Sequence, residues 1–181
     1  MSNPVAKTEN GVEITVSEGH VTANHGSTEG ICYVVTGTTA NGSLTIDGKT
    51  NFELNLNGVD ITNPTSTAID IETKKAAFVV LTGTNKLTDG TTEDHKGALY
   101  GKGKLLFSGT GSLDIYGTYN NGIHTKSYVV IDKGVNLYVN ASVNHGIKAS
   151  DAVVINGGII NIESSGEGAK GINGEQDIVI N

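Results

Sequence analysis

Apolar and polar residues alternate along most of this chain with a period of two. Val12, Ile14 and Val16 share one side of a segment, and the pattern returns at Leu44 and Ile46, at Phe52, Leu54 and Leu56, and at Val135, Leu137 and Val139. An α-helix would bring apolar residues back every three or four positions, and that period is missing throughout. The runs are short and end in Gly, Asn, Asp or Thr, which predicts strands broken by tight turns and an all-β fold.

A sandwich or a barrel would satisfy that pattern, so self-similarity decides. Gly97, Gly122, Gly146 and Gly171 open matching segments at intervals of 25, 24 and 25 residues. Val129 and Ile131 follow Gly122 at the offsets at which Val153 and Ile155 follow Gly146, and Ile178 and Ile180 follow Gly171. A third strand comes next, as Leu113 to Ile115, Val135 to Val139 and Ile160 to Ile162. Three short strands per repeat predict a three-sided, right-handed parallel β-helix, in which each coil buries its inward residues only by stacking on the next. Residues 1–40 follow the repeat poorly and read as an N-terminal cap or lead-in strands. Residues 41–181 read as the coils, with 90–96 as an inserted loop. The last residues, Gln176 to Asn181, stop partway round a coil, so the chain reads as a fragment or as one capped from elsewhere. The second strand of each coil is apolar on both faces. With Val129, Val153 and Ile178 inward, Val130, Val154 and Val179 form an outward stripe, expected either as a surface β-branched ladder or as the seat of a packing partner, the cap itself.

Composition narrows the function. The net charge is −7, which argues against a nucleic-acid binder, since that would need a basic face. All 12 basic residues are Lys, so bidentate arginine recognition is absent. The single cysteine, Cys32, cannot form an internal disulfide. No apolar stretch approaches the ~20 residues of a membrane-spanning helix. Gly166 to Gly171 fits G-x-G-x-x-G, but a strand follows where a dinucleotide site needs a helix.

The repeats resemble a bacterial carbohydrate-binding β-helix family with pectate-lyase-like architecture. The residues that carry the likeness are Asn121-Gly-Ile-His-Thr125, His145-Gly-Ile-Lys-Ala-Ser-Asp151 and Val154-Ile-Asn-Gly-Gly-Ile-Ile-Asn-Ile162. Leu54-Asn-Leu-Asn-Gly-Val-Asp-Ile61, Ala68-Ile-Asp-Ile71 and Leu106-Phe-Ser-Gly-Thr-Gly-Ser-Leu113 add to it. The resemblance implies a secreted or surface-attached protein that binds plant cell-wall polysaccharide such as pectin or cellulose, with calcium as a cofactor. One corner departs from the family: Gly166-Glu-Gly-Ala-Lys-Gly-Ile172 places Lys170 where a cation would be repelled.

Stacking sets equivalent positions of successive coils in columns. The glycine register puts Leu99, His124, Lys148 and Asn173 in one column, and Lys96, Asn121, His145 and Lys170 in another. Lys96, His124, His145, Lys148 and Lys170 then form a cationic stripe suited to an anionic sugar chain. Tyr116 and Tyr138, outward on the third strands of adjacent coils, are candidate stacking platforms. Asp70 with Glu72, and Glu93 with Asp94, are the acidic pairs, each too few for calcium's six to eight oxygens. The expected function is a non-catalytic glycan-binding module at the bacterial surface. The alternatives are a lyase, for which Lys148 or Lys126 would have to replace the arginine that lyases of this architecture commonly employ, and a passive spacer or adhesin rod.

Overall fold

A strand of three to six residues with one apolar face buries nothing alone; its partner one coil away must cover it. The computed structural model describes residues 11–92 and 94–181, and in it the chain winds as a right-handed parallel β-helix of about seven turns. After β1 (Glu13–Ser17), the first coil holds β2 (His20–Asn24) and β3 (Ile31–Thr39), and the second β4 (Ser43–Asp47) and β5 (Phe52–Thr62). The third coil holds β6 (Ile69–Ile71), β7 (Ala77–Thr82) and β8 (Thr84–Thr88), and the fourth β9 (Gly97–Gly101), β10 (Leu105–Gly109) and β11 (Ser112–Gly117). The fifth holds β12 (Asn121–Thr125), β13 (Val129–Ile131) and β14 (Asn136–Ala141), and the sixth β15 (Ile147–Ala149), β16 (Ala152–Ile155) and β17 (Ile159–Ser164). β18 (Ile172–Gly174) and β19 (Asp177–Ile180) begin the seventh.

Three faces result. The first runs β2-β4-β6-β9-β12-β15-β18, the second β5-β7-β10-β13-β16-β19 and the third β5-β8-β11-β14-β17, every ladder parallel. Strand β5 serves two faces because it bends within itself: Phe52 to Asn57 pairs with β7 and Asp60 to Thr62 with β8. Gly58 stands at that bend with φ 72, a conformation other residues resist.

Residues 13–39, expected as cap or lead-in strands, divide. Only β1 pairs antiparallel, on the edge strand β2, while β2 and β3 already pair in parallel with β4 and β5. The winding thus begins by His20. Because β1 lies on the edge of the first face, the described part of the cap does not cover Val130, Val154 and Val179. Val130 and Val154 are partly exposed and Val179 is 41% exposed.

The core is one column of aliphatic side chains shared by all three faces. Leu99, Ile123 and Ile147 from the first face meet Leu105, Phe107, Val129, Ile131 and Val153 from the second, and Leu113, Ile115, Leu137 and Val139 from the third, all fully buried. Each contributes about 1.5–3 kcal/mol relative to exposure. Asn85 is a polar inward residue: it stacks beneath Leu113, and its amide is satisfied by the Val59 N–H and by the carbonyls of Thr82 and Ser112. The corner glycine of the repeat has a steric cause. A Cβ on Gly146 would sit 2.2 Å from Ile162 Cγ2 and 2.7 Å from the Gly171 carbonyl oxygen.

Candidate functional site

Outward residues of the first face stack into a continuous row. Paired register places Thr45, Asp70, Tyr100, His124, Lys148 and Asn173 one above another, a step of ~4.8 Å apart. Tyr100 holds the position that the glycine register assigned to Leu99, which is buried in the core. The slip arises at β9, where Gly97 pairs with Asn121 and not with Gly122. Where three successive coils are 24 or 25 residues apart, the step from Ile69 to Leu99 is 30, and the surplus forms the excursion between β8 and β9.

That excursion walls one side of the row. The Asp89 carboxylate, at its root, accepts from the Thr118 N–H at 2.6 Å, from Thr118 Oγ1 at 2.7 Å and from His95 Nε2 at 2.9 Å. The His95 ring stacks on Tyr119, with centroids 4.7 Å apart. These contacts bring the Lys96 carbonyl against β12, where it accepts from Asn121 Nδ2 at 2.7 Å and from the Asn121 N–H at 3.3 Å.

Burial then sets the ionisation of the row. His124, 9% exposed, has its pKa lowered to about 4 by desolvation, with Lys148 adding repulsion, so its imidazole is neutral. Its Nδ1 is buried without a partner. Asp70 is pushed up to about 6 by burial and by the neighbouring Glu72, and its Oδ1 is likewise unpartnered. Asn121, 2% exposed, also has its Oδ1 buried without a partner. Tyr100 meets His124 edge to face at 5.5 Å, and burial raises its phenol's pKa.

The cationic stripe expected here is largely spent or neutral. Lys148 pairs with Glu175 at 3.3 Å, and Lys102 binds Glu72. Burial, then Lys148 and Lys170, lower the pKa of His145, and its Nδ1 accepts the Lys170 N–H at 3.0 Å. Lys96 and Lys170 are exposed at the rim, Lys96 lying 4.0 Å from Asp94. Tyr116 and Tyr138 stand on the third face, away from the row. They occupy different columns, Tyr116 opposite Asn140 and Tyr138 opposite Asp114, and meet diagonally at 6.0 Å with Lys86 over Tyr116.

Among the described residues no group of three or more His, Cys, Asp and Glu could hold a metal ion, and Glu72 is engaged by Lys102. Glu93, half of one acidic pair, lies outside the described residues.

Sequence reasoning passed over Tyr100 and Glu175, and counted Asn121 in a column without giving it a role. The alternation did mark Asp70 and Glu72 as neighbours on one side of a strand, but their place beneath Tyr100 depends on the length of the excursion.

A family model described as carbohydrate-binding domain-containing protein matches residues 11–179. No curated protein matches the chain. Among solved structures, the polysaccharide lyase-like protein from C. thermocellum, determined as a gadolinium derivative, aligns with 97% of this chain and 92% of its own at a TM-score of 0.67 and 19% identity. At that identity the likeness speaks for the fold alone.

Proposed function

This chain belongs to the carbohydrate-binding domain-containing family, and from that premise we propose that its first face binds a polysaccharide lying along the helix axis, without cleaving it. The observation that carries this reading is the continuous outward row of Asp70, Tyr100, His124, Lys148 and Asn173, which repeats a polar or aromatic side chain at each coil. A sugar chain laid along the axis can exchange hydrogen bonds between its hydroxyls and the polar members of that row. The same row favours an uncharged, hydroxyl-rich chain of the cellulose type over a pectin-like one. A uronate carboxylate would meet Asp70, Glu72 and Glu175, while Lys102 and Lys148 are already paired. Lys96 and Lys170 at the rim add exposed donors, as does His145 beside them. In this reading calcium bridges the sugar and the acidic end of the row. The setting that goes with this reading is the bacterial surface facing plant cell wall.

The ionisation of the row favours binding over turnover. Elimination from a uronate needs a base and an acid whose pKa values lie near the working pH. His124 is too weak a base at about 4, and Tyr100 is shifted away from proton donation.

The test is retention on insoluble cellulose and on immobilised polygalacturonate, with the supernatant assayed for new reducing or unsaturated ends. Retention on cellulose without new ends, lost in His124→Ala and Asp70→Asn, is the expected result. Release of unsaturated ends would establish the lyase instead, and absence of retention on both would leave a spacer.

A further inference from the structure

Half of the lysines of this acidic chain gather on a single corner. The segments joining the first face to the second carry Lys49 after β4, Lys74 and Lys75 after β6, Lys102 and Lys104 after β9, and Lys126 after β12. Backbone bonds hold these corners in stack: the Lys102 N–H donates to the Ile71 carbonyl at 2.9 Å and the Lys126 N–H to the Gly101 carbonyl at 3.0 Å. Gly103 packs so closely on the backbone of Lys74 and Lys75 that a Cβ there would lie 1.9 Å from the Lys75 oxygen.

Among the described residues only Lys102 of the six has a carboxylate in ion-pair range, its partner being Glu72, and the other five side chains are exposed. Lys104 Nζ rests 5.4 Å from the centre of the Tyr128 ring. At the N-terminal end of the corner a polar hollow of about 420 Å³ is lined by Lys49, Lys75, Thr50 and Asn51, with Glu29 opposite. Acidic residues share this corner, Asp47 ahead of Lys49 and Glu72 bound by Lys102, and Asp151 and Glu175 continue it on the last coils, so the lysine excess is confined to the coils from β4 to β12.

We propose that this ridge of lysines is a second ligand site, distinct from the first-face row, taking a linear polysaccharide with an anion on successive sugars. The family supplies the polysaccharide; the ridge supplies the preference for charge. Five point charges spread over four coils, spaced by the ~4.8 Å step, match a repeating anion without demanding a fixed geometry. Lysine suits this role because, unlike arginine, it recognises charge without a bidentate fork. Carboxylate and sulfate chains share this chemistry, so both belong in the test.

Retention is measured on immobilised polygalacturonate, on heparin and on cellulose. Lys75→Gln/Lys104→Gln is compared with Lys133→Glu, which makes the same change of net charge on another corner; melting curves confirm that each variant folds. We expect the double variant to lose on the order of tenfold in retention on at least one anionic chain, and Lys133→Glu to stay within about twofold. Raising salt from about 0.05 to about 0.5 M should release the wild type from anionic chains, because exposed charges are screened. Loss on polygalacturonate alone marks a carboxylate chain as the ligand; loss on both marks charge as the only feature read. Equal loss in the two variants, or none in either, overturns the proposal. So does a double variant that alters only sedimentation, which would make the ridge a contact with the acidic Asp151, Glu175 and Asp177 of another copy. His124→Ala should leave anionic retention intact while reducing cellulose retention, so failure of the first-face reading remains separable from failure of this one.

Discussion

Over the same coils, the first face shows Asp70, Tyr100, His124, Lys148 and Asn173 to the outside, and the second shows Phe78, Leu106, Val130, Val154 and Val179. Behind both lies the same aliphatic core, and both are held by the same parallel ladder. The second face is more nearly complete, with Asn55 Oδ1 on β5 its one buried acceptor without a partner among the described residues. Its apolar row makes side-by-side contacts, and the polar column beside it closes on itself, Asn156 donating to Asp132 at 2.9 Å and Asn181 to Asn156 at 2.8 Å. The first face leaves acceptors open, beneath a wall that no other coil possesses. Inward residues decide how the chain winds, and the outward rows decide what each face offers a ligand.

That contrast can be broken most forcefully from inside. Phe107 is fully buried behind the second face, and Phe107→Ala should lower the unfolding free energy by about 3–5 kcal/mol. Because the core is shared, chemical denaturation should show first-face and second-face probes losing structure at one lowered midpoint. Separate midpoints would mean that the faces are independent and the comparison misplaced.

The next effect is in pH. His124 stays unprotonated in the fold down to about 4, whereas in the unfolded chain it binds a proton near the ordinary 6.5. Between those values the unfolded chain holds the extra proton, so this residue's contribution rises with pH and is lost on acidification, by about 3 kcal/mol at most. Asp70 acts in reverse: the fold keeps its proton up to about 6, the unfolded chain releases it near 3.8, and its contribution falls as pH rises through that window. Wild-type stability should therefore be nearly flat from about pH 4 to 6. His124→Gln should become less stable as pH rises, and Asp70→Asn more stable, in urea titrations at several pH values. Parallel curves for the three proteins would sink this assignment.

Smaller effects sharpen the contrast. His124→Ala should weaken cellulose retention on the order of tenfold, the loss of one buried hydrogen bond to a sugar hydroxyl. Val130→Thr, one coil-matched step away on the second face, should leave retention unchanged and stability within about 0.5 kcal/mol. Pull-down isotherms and melting curves measure the two together.

Much of this was legible in the sequence. Gly122, Gly146 and Gly171, with their paired strands, specify winding, period and core because each inward position repeats the same steric demand. The first coil was not legible, since β3 and β5 bend within continuous strands and show no break at the corner. The row was half legible: His124 and Lys148 share a column by simple counting, but the excursion before β9 shifts Tyr100 into it and Leu99 out. The ionisation of the row was hidden as well. Nothing in the spacing says that Glu175 reaches Lys148, or that the Lys96 carbonyl meets Asn121. The lysine ridge escaped because its members sit at slightly different offsets from the glycines that anchor the repeat.

The excursion between β8 and β9 has a practical consequence. Asp89 at its root donates its N–H to the Tyr116 carbonyl at 3.2 Å, and Gly90 donates to the Ser66 carbonyl at 3.1 Å, so the chain is stitched to both neighbouring coils before it departs. Its length is thereby uncoupled from the solenoid's pitch, and doubling it would cost only about 0.6 kcal/mol in closure entropy. Foreign peptides grafted at its tip, around Thr91 and Thr92, would be displayed at the rim of the first face while the scaffold beneath keeps its register. The protein thus carries a ready port for retuning what it holds.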